Sequence, residues 1–130
     1  MDNLTMELQM KRTKYADIPK ELHEDLWSLE QAVWDAYLAL RYRPQSNSVQ
    51  TCAQVFQMNF ERYIALRRTK IKFPWRAWVF FNACDGLGLA AGSTLSYNKV
   101  QELLRHMADS IQGTIDRKKG AKFNNHRIDW

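Results

Sequence analysis

Leu22, Leu26, Leu29, Val33, Ala36 and Leu40 recur at steps of four, three, four, three and four. That spacing puts all six on one side of an α-helix but divides them between the two faces of a strand, so the segment predicts a helix. Trp27, Trp34 and Leu38 flank the stripe and widen it. A helix with so broad an apolar face has to be covered by more than one neighbour, and the rest of the chain is expected to supply them. Asp17 suits its N-cap, Pro19 its first turn, and Glu21, Glu24 and Asp25 its positive end. Arg41 and Arg43 suit the negative end, and Pro44 stops it.

Three further stretches meet that need. After a polar loop with Ser46 or Ser48 as cap, a second helix is expected from Val49 to Arg68, with Val49, Cys52, Ala53, Phe56, Phe60, Tyr63 and Ile64 inward. Thr69 to Phe73 reads as a basic connector, because Pro74 biases Phe73 away from helical angles. A third helix from Pro74 carries Trp75, Trp78, Val79, Phe81 and Ala83, and the run Trp78 to Phe81 points to burial on most sides. A strand is the alternative for so short a run. Gly86 and Gly88 either end this helix or let it pass close to another. Ser93, Thr94 or Ser96 can cap a last helix with Val100, Leu103, Leu104, Met107, Ile111 and Ile115, interrupted by Gly113 and fraying by Lys118.

These elements predict an all-α fold of about four helices in a compact antiparallel or irregular bundle. The helical domain is expected over 17–116, with a flexible N-terminal arm over 1–16 and a basic C-terminal tail over 117–130. A length of 130 residues fits one such domain. No apolar run approaches the roughly 20 residues that span a bilayer, so no membrane association is expected. Met1 to Lys14 lacks the apolar core of a signal peptide, which makes the cytoplasm the expected location. The stripe from Leu22 to Leu40 has the spacing of a homodimer seam as well, but its shortness and the other amphipathic helices favour an internal core.

Known site chemistries find no support in the residue pattern. His23, His106 and His126 are too dispersed for a metal motif, and no metal or other cofactor is expected. Cys52 and Cys84 form no Cys-x-x-Cys pair and sit among apolar neighbours, as buried reduced thiols do. Cys84 followed by Asp85 and glycines has the look of a reactive loop, yet no nearby His supports a nucleophile. In the stretch Gly86 to Gly92 the third glycine comes one position too late for the dinucleotide fingerprint. The carboxylates Glu21, Glu24, Asp25, Glu30 and Asp35 read as a solvated helix face. No catalytic residue is assigned, and the chain is expected not to be an enzyme.

Charge is the informative property. The formal net charge is +5, but residues 1–61 hold six Lys/Arg against nine Asp/Glu, whereas 62–130 hold thirteen against five. Six of the cations, Arg62, Arg67, Arg68, Lys70, Lys72 and Arg76, fall around the connector, with Phe73 and Trp75 between them. A second group, Arg117, Lys118, Lys119, Lys122 and Arg127, lies near the C-terminal end. Cations neutralise phosphates and aromatic rings stack on unpaired bases, so these residues are the candidate surface for nucleic acid or an acidic protein. Ser96 to Gln112 brings only Lys99 and Arg105 to a groove, and a standard helix-turn-helix reader is not supported. The expected function is that of a small accessory or regulatory protein that binds nucleic acid or a nucleic-acid-associated complex. The alternative is an adaptor or inhibitor docking through aromatic-rich helices, with Met6, Met10 and Ile128-Asp129-Trp130 adding apolar surface.

Overall fold

The three-and-four stripe forms the helix it predicts: α1 spans His23–Tyr42, with Leu26, Leu29, Val33 and Ala36 buried along one side. In this computed structural model, which describes residues 15–123 with side chains as far as residue 119, three more helices pack around it. They are α2 (Ser48–Ala65), α3 (Trp75–Leu87) and α4 (Tyr97–Phe123). Short 3-10 turns at Lys20–Leu22 and Leu66–Thr69 precede α1 and follow α2. The four helices form an all-α bundle, and no strand occurs among the described residues. The 78–81 run is therefore helical, not the alternative strand. Met6, Met10 and the terminal Ile128-Asp129-Trp130 lie outside the described residues.

Helix α1 sits centrally and packs against each of the other three. It runs antiparallel to α2: Asp25 and Ser28 near its start bond Arg62 and Tyr63 near the end of α2. The middle of the core is aromatic. Phe80 of α3 stacks on Phe56 and meets Phe60, Tyr63 and Phe81 edge-on, with centroids 5.7 to 6.1 Å apart. Helix α4 closes the core with Leu103, Leu104, Met107 and Ile111, all fully buried.

Three boundaries differ from expectation. Helix α2 ends at Ala65 instead of running to Arg68, and the chain tightens there into the 3-10 turn. Asp17 does not cap α1, because the chain turns back at Tyr15, whose carbonyl accepts from the Ile18 N–H at 3.0 Å. Tyr15, placed by sequence in the flexible arm, is instead fully buried and donates its hydroxyl to the carboxylate of Glu30. Glu30 in turn is 1% exposed, so it departs from the solvated face assigned to the α1 carboxylates. At the other end, α4 does not stop near residue 116 but continues to Phe123. One glycine costs a helix only about 1 kcal/mol relative to Ala. Across Gly113, the Gln112 amide donates to Asp116 at 3.0 Å, one turn on.

The glycine segment does both things proposed for it. Gly88 ends α3 in the left-handed region at φ 69°, and the Leu89 N–H returns to the Cys84 carbonyl at 2.8 Å, as in a Schellman cap. Gly86 lies inside α3, and a Cβ built there would meet Nε2 of His106 on α4 at 3.0 Å. Nothing lies within 4 Å of a Cβ at Gly88, so only backbone strain opposes a side chain there. Gly88→Ala is expected to lower stability by about 1–2 kcal/mol, read as a shift in urea midpoint. An unchanged midpoint would show that the left-handed cap does not matter. Among the three candidate caps of α4, Ser96 acts: its hydroxyl accepts from the Lys99 N–H at 3.2 Å.

Candidate nucleic-acid interface

The end of α2, the 3-10 turn and the connector lay the first basic group along α3, from Arg67 beside Asp85 near its end to Arg76 in its first turn, and its members differ in what holds them. Arg62 donates from Nε and Nη2 to Asp25 Oδ1 at 3.0 and 2.7 Å, and from Nη1 to Asn59 at 2.7 Å. Arg67 grips Asp85 of α3 with both Nη atoms, at 2.5 and 2.9 Å, a bidentate fork. This guanidinium holds the Asp85 carboxyl below the usual carboxylate range. Both pairs are largely solvent-exposed, so each contributes little to stability. Their consequence is electrostatic: two of the six cations are matched by carboxylates.

Arg76 turns inward. Half-buried, it lies 4.5 Å from the centroid of Trp34, whose ring packs against Tyr37 at 5.1 Å. Tyr37 donates to Gln112 of α4 at 2.8 Å. Arg76 thus ties α3 to α1 by a cation–π contact, and this relay reaches the half of α4 that carries the second basic group.

Arg68, Lys70 and Lys72 are exposed and form no ion pair among the described residues. Lys70 adopts a left-handed backbone at φ 54°, the one non-glycine residue to do so among those described. That conformation turns the chain out of the 3-10 helix and into the extended approach to Pro74. Phe73 is buried and meets Phe81 at 4.9 Å and Trp78 at 5.7 Å, anchoring the connector against α3. Arg67 lies over the same Phe81 ring, 5.8 Å from its centroid. Trp75, which follows the connector, is 45% exposed. A shallow cavity of about 240 Å³ lies at the other end of α3, between Arg67, Arg68 and Ile64 on one side and Asp85, Leu89 and Ala90–Ala91 on the other.

Of the second group, Arg117 and Lys119 are exposed on α4 and Lys118 is partly buried, so these three stand on a helix rather than a tail. Arg117 bonds Thr114 at 3.1 Å. The side chain of Lys122 and the whole of Arg127 lie outside the described residues. Sequence reasoning missed Trp78, which it counted as core; it is 40% exposed.

No group of three or more His, Cys, Asp or Glu able to hold a metal occurs among the described residues. No helix among them is long and apolar enough to cross a membrane. Cys52 and Cys84 are both free and buried. Burial pushes the Cys84 thiol up to about 12, which removes the thiolate needed for nucleophilic work near neutrality. An unfolded cysteine ionises near pH 8.5. The unfolded chain therefore releases a proton above that pH while the folded chain retains it, and stability falls as pH rises from about 8.5 towards 12. Cys84→Ala is expected to flatten this alkaline loss in thermal melts between pH 8 and 10; an equally steep loss would place its origin elsewhere.

Compared with known proteins, the chain matches no family model, no curated protein and no solved structure.

Proposed function

We propose that this protein is a small accessory or regulatory factor of the cytoplasm. It acts by binding rather than catalysis and docks on the phosphate backbone of nucleic acid. The observation that carries this reading is the set of three exposed cations, Arg68, Lys70 and Lys72, without ion pairs among the described residues and followed in the chain by Trp75, itself 45% exposed. Arg67 adds a cation that phosphate can recruit by displacing Asp85 from a solvent-exposed pair. Arg117, Lys118 and Lys119 extend the positive charge along α4. Backbone contacts of this kind position a protein on nucleic acid without reading its sequence.

The test is a titration of the full chain with mixed-sequence oligonucleotides at two salt concentrations. Three neutralised phosphates correspond to an affinity that falls roughly twenty- to fortyfold between about 50 and 200 mM salt. Absence of binding at the lower salt would refute the proposal. A second reading, docking on an acidic protein surface, is favoured by the exposure of Met58 and Tyr97, at 83% and 58%. That complex would survive nuclease treatment.

A further inference from the structure

Helix α3 carries a stripe of residues facing solvent: Trp75, Trp78, Asn82 and Asp85, spaced three, four and three apart. Indoles this open forgo the stabilisation that burial brings, and two on one face of a helix mark a contact surface. Their settings differ. Trp78 packs perpendicular to Phe73 and Phe81, both at 5.7 Å, which fixes its orientation. Trp75 makes no ring contact among the described residues. The connector that delivers Trp75 carries Lys70 and Lys72, with Arg68 just before them.

Resting on the nucleic-acid reading above, we infer that the surface formed by the connector and this face of α3 binds single-stranded nucleic acid. Trp75 and Trp78 stack on neighbouring unpaired bases while Arg68, Lys70 and Lys72 meet the phosphates. A duplex offers nothing to this pair of rings, since its bases already stack on one another and show only their edges in the grooves. Nor does α3 resemble a groove-entering helix. Past the two tryptophans its exposed stripe holds Asn82 and Asp85 and no cation. Residues three apart on a helix have Cβ atoms about 5–6 Å apart, so the two rings are neighbours along one line. Cations that track a backbone beside aromatic platforms are the common design of single-strand binders, and stacking accepts any base. The three unmatched cations favour this ligand over a protein partner, which the same indoles would also suit.

The experiment measures binding of the full chain to a labelled single-stranded oligonucleotide of about 12 residues, in DNA and RNA forms, and to the matching duplex, at low salt. The single strand should bind more tightly than the duplex and quench tryptophan fluorescence. Trp75→Ala should weaken single-strand binding roughly five- to hundredfold and reduce the quenching, with duplex binding unchanged. Trp78→Leu should act in the same direction, its fold checked by thermal melting because Trp78 packs on Phe73 and Phe81. Equal affinity for both forms, indifferent to Trp75→Ala, would overturn the stacking inference and leave the phosphate reading standing. No binding of either form at low salt would overturn both and assign the surface to a protein partner.

Discussion

Phe80→Ala is expected to destabilise the protein by about 3–5 kcal/mol, the range for truncating a fully buried aromatic ring. Phe80 is the hub of the aromatic cluster: it stacks on Phe56 at 5.8 Å and meets Phe60, Tyr63 and Phe81 edge-on. Its loss removes apolar burial and opens a void among rings contributed by α2 and α3. These rings are stiff and held by several neighbours, so the cavity cannot easily collapse. A domain stable by about 5–15 kcal/mol would lose a large share of its margin. Urea unfolding should show a much lower midpoint with a similar slope. A midpoint within experimental error of the parent would mean that the ring is not packed as described.

Tyr15→Ala is expected to cost about as much, 3–5 kcal/mol, and Tyr15→Phe about 1.5–3 kcal/mol. The alanine variant removes a fully buried ring that packs against His23 and Trp27. The phenylalanine variant keeps the ring but deletes a hydrogen bond to Glu30, a carboxylate that is itself buried. Bonds to a buried charged group are worth more than average, because the acceptor left behind has been removed from water. Burial, with Glu30 alongside, raises the ionisation point of the Tyr15 hydroxyl, which stays protonated and able to donate throughout the working pH range. If residue 15 belonged to a dispensable arm, both variants would melt like the parent. That result would contradict the assignment of Tyr15 to the core.

Tyr15 also shows where sequence reading runs out. Helices announce themselves by period, and α1, α2 and α4 were legible because their apolar residues repeat every three or four positions. A single tyrosine before Pro19 has no period, and its partner Glu30 lies fifteen residues away on a helix face that otherwise reads as solvated. The first basic group was legible as a run of cations, since charge density needs no fold to be seen. Which cations remain open was not, because Asp25 and Asp85 are brought to Arg62 and Arg67 by packing alone. Trp78 was misread for a related reason. Four consecutive apolar residues wrap most of the way round a helix, and only its neighbours decide which of them faces water.

On the proposed function, Arg68, Lys70 and Lys72 together form the phosphate-contacting surface. The triple variant Arg68→Gln, Lys70→Gly, Lys72→Gln tests it most directly. Glycine at position 70 suits the left-handed backbone found there, so that change removes charge without adding strain. The measurement is the slope of log affinity against log salt for a single-stranded oligonucleotide. Each phosphate contact contributes about 0.7 to that slope, and the variant should therefore bind more weakly and show a slope shallower by about two. A variant that melts like the parent and keeps its full slope would place the contacts elsewhere and contradict the account.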